Sequence, residues 1–126
     1  MTQKDKDLLF KDLCMRLPYG VRVNHKVKGD FTVYGVCGKY VLTKATDKYG
    51  WVNLADFCVE QIKPYLFPLS NMTEEQRKEY ENSIIKDGVL TVWTTSTYDW
   101  CNKHHFDYRG LIPMELAKDA TGLNIY

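Results

Sequence analysis

The feature that most constrains this chain is a series of short apolar–polar segments, punctuated by turns, between Val21 and Leu54. Val21-Arg22-Val23-Asn24-His25-Lys26-Val27 alternates apolar and polar residues, the pattern of a strand with one buried face. Lys28-Gly29-Asp30 supplies a turn, and Phe31-Thr32-Val33-Tyr34-Gly35-Val36 is expected to pair back as a hairpin. Gly38 marks a second turn before Tyr40-Val41-Leu42-Thr43, and Asp47-Lys48-Tyr49-Gly50 a third before Trp51-Val52-Asn53-Leu54. Segments this short, joined by turns this tight, imply an antiparallel meander. It forms a small open sheet or curls into a partly closed, SH3-like barrel.

Helices flank this β-rich part. Leu8, Leu9, Leu13 and Leu17 recur at three- and four-residue spacing, with Phe10 and Cys14 beside them, so a helix is expected over residues 4–17. Lysines and aspartates are expected on its other face, and Pro18-Tyr19-Gly20 stops it. Ala55 to Tyr65 is ambiguous between strand and helical turn. Pro64 and Pro68 keep Lys63 to Leu69 extended, which suggests an edge strand. Thr73-Glu74-Glu75-Gln76 is a capping box, in which the threonine hydroxyl and the glutamine side chain satisfy each other's backbone N–H groups. The helix it opens is expected to reach about Lys86 and to stop at Asp87-Gly88. Val89 to Thr95 reads as a strand, Ser96 or Thr97 caps a short helix through about Phe106, and Met114 to Lys118 forms a last turn. The expected class is α+β, one domain over residues 1–126: helix 4–17, β-rich part 21–69, mainly helical part 73–120, with two or three C-terminal helices packed on the sheet.

A chain of 126 residues buries roughly two-thirds of its unfolded surface, enough for a core without metal or disulfide staples. Net charge is +1, which excludes a global field for nucleic acid or anionic membrane, although Arg16 to Lys48 holds seven basic residues against two acidic ones. The N-terminus lacks the apolar stretch of a signal peptide, and no apolar run approaches the roughly 18 residues of a membrane span. Cys14, Cys37, Cys58 and Cys101 are widely spaced and never form C-x-x-C, so free thiols and a cytoplasmic location are expected, with no membrane partner. No phosphate-cradling glycine loop, H-E-x-x-H or G-x-S-x-G is present, and no cofactor or metal is expected.

Chemistry-bearing residues concentrate in Asp99 to Ile112. On a helix, Cys101 would lie three and four residues from His104 and His105, so a thiolate–imidazole pair or two metal ligands would be within reach. Zinc needs at least three protein ligands, and the remote candidates His25, Cys14 and Asp107 have no motif spacing. The plainer reading packs Trp100, Cys101 and one histidine inward. Asp107-Tyr108-Arg109-Gly110 offers an arginine able to clamp a phosphate or carboxylate, or to bridge internally to Asp107. In the β-half, Arg22, Lys26 and Lys28 fall on strand positions that share one face, with Tyr34, Tyr40, Tyr49 and Trp51 nearby. Basic residues interleaved with rings form platforms for single-stranded nucleic acid, and β-meanders also bind peptides along an edge. The candidate binding residues are therefore Arg109, His104, His105, Tyr108, Arg22, Lys26 and Lys28.

Three blocks carry a resemblance. They are Asp12-Leu13-Cys14-Met15-Arg16-Leu17-Pro18-Tyr19-Gly20-Val21, Ile62 through Glu75 (Ile-Lys-Pro-Tyr-Leu-Phe-Pro-Leu-Ser-Asn-Met-Thr-Glu-Glu), and Asp99-Trp100 through Ile112. The chain resembles an uncharacterised family of small proteins carried by phages, prophages and mobile elements of gut anaerobic bacteria. It departs from that family's pattern at Phe67, where arginine is expected, and at Cys101, where leucine is expected, which weakens a thiol mechanism. The resemblance implies an accessory factor that acts by binding host or phage components, and it carries no catalytic residues. The expected role is a non-enzymatic protein-binding module. The alternatives are nucleic-acid binding through the basic β-half, and a small hydrolase or nuclease built on His104, His105, Asp107 and Arg109.

Overall fold

The computed structural model describes residues 1–87 and 90–126. Helix α1 (Gln3–Arg16) is followed by a 3-10 turn over Leu17–Tyr19, and Gly20 ends it in the left-handed conformation, φ 65°. Five strands follow: β1 (Arg22–His25), β2 (Gly29–Cys37), β3 (Tyr40–Thr46), β4 (Val52–Cys58) and β5 (Ile62–Pro68). Then come α2 (Glu74–Ser83), β6 (Ile84–Asp87), β7 (Leu90–Trp93), α3 (Thr95–Lys103), β8 (Phe106–Asp107) and β9 (Lys118–Asp119). The class is α+β, as the alternation and the two helical patterns predict. The sheet is open rather than barrel-like, in the order β4-β3-β2-β1-β5-β8 with β9 also on β5.

The meander forms where the turns are. Gly38, at φ 59°, is the first central residue of the two-residue β2–β3 loop, where a side chain would be strained. Asp47 builds the β3–β4 turn by accepting from the N–H groups of Tyr49 and Trp51 through Oδ1. The β1 pattern stops earlier than its alternation suggests. His25 Nδ1 accepts from the N–H groups of Val27 and Lys28, each at 3.1 Å, so Lys26 and Lys28 belong to a turn and Val27 is exposed.

Strand β5 is not the edge strand expected from Pro64 and Pro68. Ile62–Pro64 pairs with β1, whereas Tyr65–Pro68 pairs with β9 and β8 in parallel. The Leu66 carbonyl accepts from Ala120 N–H and the Phe67 N–H donates to the His105 carbonyl. These two groups belong to one trans peptide and point opposite ways, so β8 and β9 flank β5 on opposite edges. Continuing the β1 register would set Arg22 against Tyr65. Instead the Tyr126 hydroxyl stands between them, accepting from Arg22 N–H at 2.9 Å and donating to the Tyr65 carbonyl at 2.7 Å.

The capping box at Thr73 and Gln76 is present, but α2 ends at Ser83, short of Lys86, and the chain turns at once into the β6–β7 hairpin. The expected stop at Gly88 and the first residue of the strand expected from Val89 lie outside the described residues. Helix α3 is capped by Thr94, not by Ser96 or Thr97. The Thr94 hydroxyl lies 2.8 Å from the Ser83 carbonyl and 3.3 Å from the Thr97 N–H, tying the helix start to the end of α2. The turn expected over Met114 to Lys118 falls earlier: residues 111–115 make turns, 116 and 117 bend, and Lys118 enters β9. The stretch 73–120 thus holds two short helices, the hairpin and two short strands rather than being mainly helical.

The core lies between α1 and the inner face of the sheet, closed by Leu111, Leu116 and Ala117. Full burial of Leu9 and Leu13 alone contributes about 1.5–3 kcal/mol each. The buried stripe of α1 is Leu9, Asp12, Leu13 and Arg16, a three-four-seven spacing that places an aspartate and an arginine inside. Among the described residues no helix is long and apolar enough to cross a membrane.

Candidate functional site

Two regions stand out: a charged cluster sealed inside, and an apolar edge outside. The inner cluster centres on Asp12. Its Oδ2 accepts from Arg16 Nε at 2.8 Å, and its Oδ1 from Arg16 Nη2 at 3.2 Å and Arg109 Nε at 3.1 Å. Arg16 also donates to the Phe106 carbonyl at 2.7 Å. Asp12 and Arg16 have no solvent-exposed surface, whereas Arg109 retains some. The Tyr108 ring lies within cation–π reach of both guanidiniums, at 5.3 and 5.0 Å, and its hydroxyl donates to Asn102 Oδ1. One carboxylate therefore ties α1 to the segment after α3. Its geometry is that of a structural joint, with every Asp12 oxygen already in use.

The sequence candidates of the C-terminal segment divide among separate tasks. Both Asp107 oxygens accept backbone N–H groups, from Leu111 at 2.9 Å and Ile112 at 2.8 Å, so this carboxylate shapes a turn and does not bridge to Arg109. Helix α3 ends at Lys103, and His105 takes φ 61°, so the helical spacing that would join Cys101 to His105 does not exist. His105 is buried and stacked on Tyr126, ring centroids 3.6 Å apart. Burial, then the Arg16 and His104 charges, pushes its pKa down to about 4, and the ring is neutral. His104 lies on the Trp100 ring, 4.6 Å between centroids, and burial lowers its pKa despite nearby Glu79. Burial also pushes the Cys101 thiol up to about 11 against the pull of Arg16, which removes the thiolate a nucleophile requires. Thus Tyr108 and Arg109 meet, while His104, His105 and Asp107 do not join them in an open pocket.

The basic candidates of the β-half also separate. Arg22 lies on the outer face of the sheet, beside Asp30. Burial works to raise the Asp30 carboxyl, but donation from Asn24 and Tyr65 and the charges of Arg22 and Lys118 outweigh it and hold it below its ordinary value. Lys28 instead reaches the ring of Phe57, a residue of the inner face, at 5.8 Å. Lys26 sits in the turn, beside Lys63 and Lys118. The three do not form one basic face, because the His25 turn ends the strand first. Among the described residues no group of three or more His, Cys, Asp or Glu is arranged to hold a metal ion.

The outer region is β4, a strand at the open end of the sheet. Trp51, Val52 and Leu54 are 73%, 57% and 68% exposed, and Tyr49 in the preceding turn is 75% exposed. The β3–β4 register places Val52, Leu54 and Asp56 across from Thr46, Lys44 and Leu42 on the outer face, where Tyr34 and Tyr40 are exposed too. The strand contains no proline and no lysine, the residues that usually protect a sheet edge. Sequence shows these residues as a strand, but their edge position follows only from the strand order. The expectation that aspartates lie on the outer face of α1 fails at Asp12, and the three-four-seven spacing of Leu9, Asp12, Leu13 and Arg16 is the signal that marks both buried charges. Compared with known proteins, the chain matches no family model, no curated protein and no solved structure.

Proposed function

We propose that this protein is a non-enzymatic protein-binding module, an accessory protein of a phage or mobile element, that docks its partner on the β4 edge. The observation that carries this reading is the unprotected edge strand with Trp51, Val52 and Leu54 exposed. Natural sheets usually blunt such an edge, and apolar side chains left on it mark interaction sites. An incoming segment gains backbone hydrogen bonds along the strand and side-chain contacts on its outer face. The dispersal of His104, His105, Asp107 and Arg109 lowers the support for a hydrolase. The separation of Arg22 from Lys28 does the same for a nucleic-acid platform.

The test is affinity capture of the tagged protein from host lysate after nuclease treatment, wild type beside Leu54→Lys. A protein captured by the wild type and lost with Leu54→Lys supports the reading. Capture that disappears with nuclease, or that the variant retains in full, refutes it.

A further inference from the structure

We propose that a cleft on β1, β5 and β9 is an anion site that takes a compact phosphate chain, a diphosphate or triphosphate group. It lies across the sheet from β4 and does not depend on what docks there. The cleft has a volume of about 370 Å³, at the small end of ligand pockets. Its lining includes Lys26, Lys63, Lys118, Asn24, Gln61 and Glu60. Three separate parts of the chain supply the lysines: the turn after β1, strand β5 and strand β9.

The fold gathers these charges without neutralising them. Lys63 pairs with Asn24 of β1, and Lys118 pairs with Tyr65, two residues further along β5. Lys63 and Lys118 are therefore diagonal neighbours on one face, where like charges repel. Among the described residues none of the three ammonium groups is in an ion pair. The nearby acids are engaged with other groups. Asp30, level with Asn24 on the same face, accepts from Asn24 Nδ2 at 2.8 Å and from the Tyr65 hydroxyl at 2.7 Å. Glu60 stands on the rim and pairs with Lys6 at 3.6 Å. The lining side chains thus carry three positive charges against one negative.

The chemistry of the donors selects the anion. Gln61 Oε1 already accepts from Cys58 N–H at 2.8 Å, so the free end of this amide is its NH2 group. An ammonium is a point charge with three rotatable donors and lacks the planar fork by which arginine matches a carboxylate. Ammoniums set on several sides of a hollow suit an anion with several charges and oxygens facing several ways, as linked phosphates have. Among the described residues no aromatic side chain lines the cleft, so it reads phosphate and not a base. A nucleic-acid strand instead needs an extended groove with rings along it.

The experiment is isothermal titration calorimetry of the full chain with sodium tripolyphosphate, at about 20 mM and about 200 mM sodium chloride. Circular dichroism confirms that each variant is folded. The expected result is one site with dissociation on the order of 100 µM at the lower salt, weakened about tenfold at the higher. Lys63→Gln and Lys118→Gln each weaken binding about threefold to fivefold, the range of a solvent-accessible charge pair. Lys103→Gln, an exposed lysine at the end of α3, leaves binding unchanged. Glu60→Gln removes the carboxylate of the rim and tightens binding about threefold, a gain that loss of structure does not produce. An ATP arm separates the two sources of such a chain: binding at least as tight as tripolyphosphate supports a nucleotide, and weaker binding supports free polyphosphate. No binding at about 1 mM tripolyphosphate overturns the proposal, as does a loss with Lys103→Gln equal to that with Lys63→Gln, or Glu60→Gln without a gain. A short single-stranded oligonucleotide that binds more tightly than tripolyphosphate also overturns it, because the lysines then serve a polymer backbone.

Discussion

Replacing Asp12 with alanine removes the anion that joins two arginines inside this protein. The loss is asymmetric. Arg109 is partly exposed and can turn to water, so its share is below about 1 kcal/mol, as for other solvent-accessible pairs. Arg16 is fully buried and would keep only the Phe106 carbonyl as a hydrogen-bond partner, beside the Tyr108 ring. Leaving a buried charge without its counter-ion costs about 3–5 kcal/mol. A protein of this length has roughly 6–19 kcal/mol of total stability, at 0.05–0.15 kcal/mol per residue, so the substitution removes a large part of it. With a urea m-value of about 2 kcal/mol/M, the unfolding midpoint falls by about 2 M. Tryptophan fluorescence follows the transition, since Trp93 and Trp100 pack against α2 and α3. The double substitution Asp12→Leu with Arg16→Met removes the pair together and is expected to cost less than Asp12→Ala alone. A loss under about 1 kcal/mol for Asp12→Ala, or a double substitution more damaging than the single, would refute the view that charge balance holds this joint.

Two further outcomes follow from the same segment. The His105 pKa is depressed from its ordinary 6.5 to about 4, so the unfolded chain binds the extra proton between those values. Stability is therefore complete above pH 6.5 and declines as pH falls toward 4, by on the order of 3 kcal/mol at 1.36 kcal/mol per unit. His105→Asn, a residue that tolerates the positive φ, is expected to flatten urea midpoints measured across that window; an unchanged slope would contradict the assignment. Tyr126→Phe leaves Arg22 N–H and the Tyr65 carbonyl without their shared hydroxyl and is expected to cost about 1–3 kcal/mol. Amide exchange should speed up at Arg22 first, and exchange unchanged there would show that water replaces the hydroxyl at no cost.

Much of the fold is legible because it is written in local rules. The capping box at Thr73, the turn at Gly38 and the alternation of β3 each act over a few residues, and each is found where its spacing places it, whereas the turn expected over Lys28-Gly29-Asp30 forms earlier, at residues 26–28. The errors lie where a side-chain hydrogen bond, near or distant in sequence, overrides the apolar pattern. His25 captures two backbone N–H groups and ends β1 early. The Ser83 carbonyl binds the Thr94 hydroxyl, and α3 begins there. The candidate segment was legible as a dense cluster, but not in its roles. Arg109 answers to Asp12, 97 residues away, and no spacing rule within Asp99 to Ile112 contains that partner.

The sequence by itself determined the α+β class and the antiparallel meander. These depend on backbone preference and hydrophobic period, which are properties of neighbouring residues. Only the tertiary structure decided that the sheet stays open, that β5 is flanked on both edges, and that β4 pairs with β3 alone. It also decided that Asp12 and Arg16 of α1 face inward. Strand order and charge pairing depend on contacts between residues far apart in the chain, where loop closure and desolvation compete at energies that no local window contains.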